Sequence, residues 1–290
     1  MLIAQLSDLH ITDDEAEGHR FVDAGAKLAA AIEYLHGRAV PPDAVVVTGD
    51  LTDHGSPTEF AILLDLLRPL RLPTYLIPGN HDEHDTFRAA FGDCPWMPSP
   101  GPINYAVEHH AVRLVAFDST MPGRHDGEVD SARLAWLDDT LRSRPETLTF
   151  VFLHHPPFRT GLWMMDEMGL TGAADLRAVI ARHPQVRHIA AGHVHRSVST
   201  MWGTTKLTTA PSTCHQVRCD LDPREGAAIT DEAPMLQLHH WNGDGVVTNT
   251  TPFEPPSRTI DLSKVTRDWA ATRARILSGP PFPKGSDGFS

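Results

Sequence analysis

The chain has 290 residues, 41% of them hydrophobic, and a formal net charge of −12 with neutral histidines. That length suits one large domain, or one domain with a small appendage. No apolar run reaches about 18 residues, so no membrane span is expected, and the acidic balance without a basic block argues against a nucleic acid polymer as partner.

In chain order, Leu2–Leu6 reads as a strand. It opens an N-terminus, MLIAQLSDLH, that lacks a basic n-region and meets an acid at Asp8, so no signal peptide is expected and the cytoplasm is the expected compartment. Ala24–Leu35 has apolar residues at helical spacing, Ala44–Thr48 is a β-branched strand, and Thr58–Leu67 is a helix capped by Ser56 or Thr58. A strand at Thr74–Ile77 and a helix at Asp85–Phe91 follow. Tyr105–Val107 and Leu114–Phe117 pair around a turn at His109–His110. Leu134–Leu141 is helical, Thr149–Leu153 a strand, Ala173–Ala181 a helix and His188–Ala191 a strand. Short strands then succeed one another at Val198–Met201, Lys206–Thr209 and Leu236–His239. The polar stretch Asp220–Ala233 reads as a loop, and Ile260–Ile276 as one last helix before a flexible Pro/Gly-rich tail over 278–290. Alternation of strands and helices that gives way to strands alone predicts two packed sheets with helices outside them.

The ends of the strands carry the chemistry. Asp8 and His10 follow the first, Asp50 the second, Asn80, His81 and Asp82 the third. His154 and His155 follow Thr149–Leu153, and His193 and His195 follow His188–Ala191. Ligand sites in open α/β sheets form at that edge. On an extended chain, i and i+2 share a side, so Asp8 with His10, and His193 with His195, each aim two side chains at one place. Gly49, Gly79 and Gly192 beside them permit sharp turns. Asp, His and Asn without cysteine suit borderline divalent metals such as Mn, Fe, Co or Zn. The three cysteines, an odd number without zinc-ribbon spacing, read as reduced thiols. So many ligands suit two ions that share a carboxylate. Two such ions with two carboxylates leave about +2 of charge, or about +1 with a bridging hydroxide, which attracts a phosphate anion.

Five motifs in this order, Asp8–Leu9–His10, Gly49–Asp50–Leu51–Thr52–Asp53, Gly79–Asn80–His81–Asp82, His154–His155–Pro156–Pro157 and Gly192–His193–Val194–His195, resemble the calcineurin-like metallophosphoesterase superfamily. The segments LIAQLSDLHI, PDAVVVTGDL, PTYLIPGNHD, FLHHPP, AGHVHRS and TCHQV resemble its bacterial class III cyclic-nucleotide phosphodiesterases and glycerophosphodiesterases, over roughly Met1 to Val217. The resemblance implies an α/β fold, a four-layer αββα sandwich, and a metal-dependent phosphoric diester hydrolase. It implies Asp8, His10 and His195 on a first metal, Asn80, His154 and His193 on a second, and Asp50 as bridge. It implies attack on phosphorus by the bridging hydroxide, and His81 beside the phosphate, where it stabilises the transition state or protonates the leaving oxygen. Asp53 and His215 are expected near the site without ligand duty, as are Asp82 and His155, since adjacent His154 and His155 face opposite ways on an extended chain. His54, His84, His109, His110, His125, His239 and His240 read as ordinary polar residues. Trp163, Met164, Met165 and Met168 form core, a subunit contact or a wall for the organic part of the substrate.

The expected organisation is a catalytic core over 1–217, with 218–277 completing the fold and carrying oligomer contacts, in a dimer or larger homo-oligomer. The expected substrate is a small phosphodiester, a cyclic nucleotide such as cyclic AMP or a glycerophosphodiester. The alternatives are a phosphomonoesterase with the same metals, a nuclease, or a scaffold that has lost them.

Overall fold

The structure, a computed structural model, describes residues 1–13, 22–98, 100–222, 224 and 228–278. The chain runs β1 (Leu2–Leu6), α1 (Ala24–His36), β2 (Ala44–Thr48), α2 (Pro57–Leu67), β3 (Thr74–Ile77), α3 (His84–Phe91), β4 (Tyr105–Val107) and β5 (Arg113–Ala116). It continues through β6 (Gly127–Glu128), α4 (Ser131–Arg142), β7 (Thr149–Phe152), α5 (Trp163–Glu167), β8 (Leu170–Thr171), α6 (Ala173–Ile180), β9 (Val186–Ala191), β10 (Ser199–Trp202) and β11 (Thr205–Thr209). The last elements are β12 (Gln216–Val217), β13 (Ile229–Thr230), β14 (Met235–Trp241), β15 (Val246–Pro252), α7 (Leu262–Val265) and α8 (Trp269–Ser278).

Two sheets carry the architecture, one ordered β15-β14-β1-β2-β3 and one ordered β10-β11-β9-β7-β5-β4. In each the central strands are parallel and an edge is antiparallel. The central strands are near-continuous apolar runs because both faces are buried. In β7, Phe150 and Phe152 join the core that also holds Leu28, Ile32 and Leu35 of α1 and Phe60 of α2, while Val151 joins Leu137 and Leu141 of α4 and Val179 of α6. Helices therefore cover the outside of each sheet, the four-layer αββα order expected from the sequence. Ser56 caps α2 with a reciprocal capping box to Glu59, so the helix begins one residue before the expected Thr58.

Several features depart from the sequence reading, among them the short elements β6, α5, β8 and β12, which it did not include. β15 was not expected: it is an edge strand rich in Thr and Asn, mostly exposed, so it lacks the apolar run that marks the others. Within the polar stretch 220–233, Ile229–Thr230 pairs with β12. The single helix expected over Ile260–Ile276 is two, because Thr266 is extended after α7 and the Asp268 carboxylate accepts from Ala271 N–H to start α8 anew. Met1–Glu254 forms one compact unit and Pro255–Ser290 another, to which α7 and α8 belong. The tail beyond Ser278 lies outside the described residues. Among the described residues, no helix is long and apolar enough to cross a membrane.

Candidate metal centre

The loops that follow β1, β2, β3, β7 and β9 meet at one edge of the two sheets. They are stitched together by backbone bonds that continue past the strand ends: Asp8 N–H to the Gly49 carbonyl, His10 N–H to that of Asp50, and Gly192 N–H to that of His154. The side chains converge by a route that the sequence did not reveal. Asp8, His10, Asp50, His193 and His195 all have left-handed backbones, with φ of 52°, 47°, 48°, 70° and 50°. Among the described residues, they are the non-glycine positions with positive φ. The i, i+2 pairs thus share a target because each residue turns αL, not because the chain is extended. A side chain there costs about 1–2 kcal/mol per residue, and strain of this kind collects at functional sites. Gly49 and Gly79 make the approach possible, since a Cβ on Gly49 would overlap the His154 ring, and one on Gly79 the Asp50 carboxylate.

Two groups of donors result. Asp8, His10, Asp50 and His195 each place a ligand atom within 4.8 Å of the others. In the second, His154 Nε2 is 3.1 Å from Asn80 Oδ1 and 3.4 Å from Asp50 Oδ1, and the His154 and His193 rings are 5.1 Å apart. Asp50 stands between the groups, with Oδ2 3.8 Å from His10 Nε2. The seven residues singled out as ligands from the sequence are all brought together here.

The hydrogen bonds around the rings fix which nitrogen faces inward. His10 Nδ1 donates to Asp53 Oδ1 (3.0 Å), His154 Nδ1 to the Thr48 carbonyl (2.8 Å), His193 Nε2 to the Met168 carbonyl (3.0 Å) and His195 Nδ1 to the His215 carbonyl (2.8 Å). The other nitrogen of each is then a lone pair aimed at the centre. His10 Nε2 and His195 Nε2 face each other at 3.2 Å, with Asp8 Oδ1 3.4 Å from the latter. Lone pairs and carboxylates so arranged repel one another, and a divalent cation between them resolves the conflict. The donor set therefore fits two metal ions, one per group.

Electrostatics follow the packing. Burial opposes ionisation of Asp50, yet without metal the surrounding His154, His81 and His10, as protonated rings, hold its pKa well below the ordinary carboxylate value; a bound cation would take the place of those protons. For Asp8, burial is likewise outweighed, chiefly by His195. Burial and His154 push His155 down to about 3.

His155 offers a ligand atom within 4.8 Å of those of His154 and His193, and both of its ring nitrogens have protein partners: Ser119 Oγ lies 2.9 Å from Nδ1, and Nε2 donates to the His125 carbonyl (3.1 Å). Asp82 orients its neighbours, accepting from the backbone N–H groups of Gly79, Leu51 and Thr52. His81 Nδ1 donates to the Asp53 carbonyl (2.7 Å), and its ring packs edge-on to His10 at 4.9 Å. His215 lies 4.8 Å from His195 and 5.1 Å from His10, ring centre to ring centre. The Trp163–Met168 segment contributes buried Met165, packed with Val194 and Val217, and the Met168 carbonyl that orients His193. His239, read as ordinary, is a buried core residue on Gln5. His125 is the neighbour that the sequence reading missed: Asn80 Nδ2 is 3.4 Å from its Nδ1, and its ring is 5.8 Å from His81. It sits on a loop 45 residues from Asn80, so only the fold could reveal the proximity.

Residues 1–197 match the family model for calcineurin-like phosphoesterase. The chain belongs to this family. Among its relatives is a glycerophosphodiester phosphodiesterase of Enterobacter lignolyticus, 35% identical over 243 residues, which are 83% of this chain and 86% of the relative. A cAMP/cGMP dual specificity phosphodiesterase of Mycobacterium tuberculosis is 31% identical over 257 residues, 87% of this chain and 79% of that one. A dimetal phosphatase of Danio rerio shares the fold, with a TM-score of 0.65 at 14% identity, over 88% of this chain and 96% of that one. Calcineurin-like phosphoesterases use a dinuclear divalent metal centre, and the two donor groups around Asp50 are this chain's candidates for it.

Proposed function

We propose that this chain hydrolyses small phosphodiesters, a cyclic nucleotide or a glycerophosphodiester, at a dinuclear centre. The observation that carries the reading is the position of Asp50 between two donor groups whose four imidazoles are each fixed from behind. Asp8, His10 and His195 would hold one ion, Asn80, His154 and His193 the other, and Asp50 would serve both. Nitrogen and oxygen donors without thiolate suit Mn, Fe, Co or Zn. When bound, the ions supply Lewis acidity toward phosphoryl oxygens and lower the pKa of water. Asp53 acts through His10, to which it is bonded, and through His81, which its carbonyl orients. With Nδ1 so engaged, His81 meets the ester oxygens through Nε2, where it holds or passes a proton.

Among the described residues, which do not include Arg20, the surroundings favour a diester over a monoester. A dianionic monoester calls for extra Arg or Lys clamps. Arg196 beside His195 is instead turned onto Glu232, with its guanidinium on both carboxylate oxygens. Arg159 lies toward Asp166 and Glu167. Residues 1–217 contain every proposed ligand, residues 218–277 are proposed to carry contacts of a homo-oligomer, and the cytoplasm is the proposed compartment. A panel of cyclic AMP, glycerophosphocholine, glycerophosphoethanolamine and aryl diesters on metal-loaded protein tests the reading. Turnover of a diester supports it, and failure on all of them rejects it.

A further inference from the structure

His109 and His110 read as ordinary polar residues in the sequence, yet the structure turns both toward one atom. They lie in the turn between β4 and β5, and adjacent residues on an extended chain would face opposite ways. Here the Tyr75 hydroxyl is 2.8 Å from His110 Nε2 and 3.1 Å from His109 Nε2, and the two imidazoles are 4.4 Å apart, ring centre to ring centre. Tyr75 is buried, and its ring meets that of His110 edge-on at 5.7 Å, so the phenol is a fixed point. The Asp43 carboxylate, which accepts from the Leu2 N–H at 2.7 Å, adds negative charge close enough to act on His110. These groups stand apart from the dinuclear centre. Tyr75 is near the start of β3 and Asp43 directly precedes β2, whereas Asn80 and Asp50 follow the far ends of those two parallel strands.

A phenol has one proton. It donates to one ring and accepts from the other, so one imidazole already presents a lone pair at Nε2, and the second needs only to carry its proton on Nδ1 instead. Two donors on one ion at about 2.0–2.1 Å stand about 2.8–3.4 Å apart, and both oxygen–nitrogen spacings fall in that range. Imidazole donors suit zinc, copper and nickel. We infer that Tyr75, His109 and His110 form a separate, mononuclear cation site, which takes a borderline divalent ion such as zinc through the phenol oxygen and two Nε2 atoms. On binding, the phenol proton is released to solvent, one ring moves its proton from Nε2 to Nδ1, and three bonds to the ion replace the two hydrogen bonds. Tyr75 belongs to an edge strand of one sheet, and the histidines follow an edge strand of the other. The ion therefore clasps the two sheets at the end opposite the dinuclear centre.

The test dialyses the full chain against micromolar zinc and counts bound zinc per chain, for the wild type and for the double variant His109→Gln, His110→Gln. The wild type should hold one equivalent more. Both proteins carry the same dinuclear centre, so the difference stands however many ions that centre keeps. Equal zinc contents overturn the site. Tyr75→Phe removes only the phenol oxygen and should hold the extra ion less tightly. Zinc should also produce a tyrosinate absorbance change in the wild type that Tyr75→Phe lacks. The same change in Tyr75→Phe, or none in the wild type, overturns the three-donor assignment.

Discussion

Replacing His10 by Gly and by Ala, side by side, tests whether the metal centre is built on strained backbone. Both variants lose the same ring, with its bond to Asp53 and its contacts with His81, His195 and His215. They differ in one respect. At φ 47°, a Cβ carries the left-handed penalty of about 1–2 kcal/mol, and glycine does not. Glycine in turn loses about 0.4–1 kcal/mol through the greater freedom of its unfolded chain. The balance leaves His10→Gly more stable than His10→Ala by about 0.5–1 kcal/mol, the reverse of the usual order in strands and helices. For a unit of this size, that is about 1–4 °C in Tm. Both proteins are melted with chelator present, because bound metal adds its own linkage term. If the alanine variant is equally stable or more stable, the left-handed backbone is not a source of strain.

Other perturbations separate the roles within the centre. Asp50→Ala should weaken both metals, whereas Asn80→Ala should weaken mainly one, as read by metal content after gel filtration; two ions retained without Asp50 would refute its shared position. His81→Ala should keep both ions and lose roughly 10²–10⁴-fold in turnover, the usual range for a positioned acid or base; loss of a metal instead would reassign it. Away from the centre, burial raises the carboxyl pKa of Asp118, but His84, with Thr120 and the Ile103 N–H, more than offsets this and holds it at about 2. The stabilisation from this depressed pKa is full above the unfolded value near 4 and is lost as pH falls through about 2. Asp118→Asn should therefore cost about 2 kcal/mol at pH 6, with the gap closing toward pH 2 in urea titrations; a gap independent of pH would contradict the pairing.

The sequence made the strands legible because each central strand is buried on both faces and reads as an unbroken apolar run. The proposed ligands were legible because they stand directly after those runs. β15 was not, since an exposed edge strand of Thr and Asn has no such signature. The αL turns at Asp8, His10, Asp50, His193 and His195 were hidden as well: the sequence suggested the shared target through an extended chain, while the strained backbone provides it. His125 was passed over because its place depends on a loop contact distant in sequence.

The most direct test of the central claim is kcat/KM for bis(p-nitrophenyl) phosphate against p-nitrophenyl phosphate, on the same metal-loaded protein at the same pH. With Arg196 and Arg159 both turned to carboxylates, the centre should prefer the monoanion, and the diester should be the better substrate. A higher value for the monoester would contradict the account and make the protein a phosphomonoesterase.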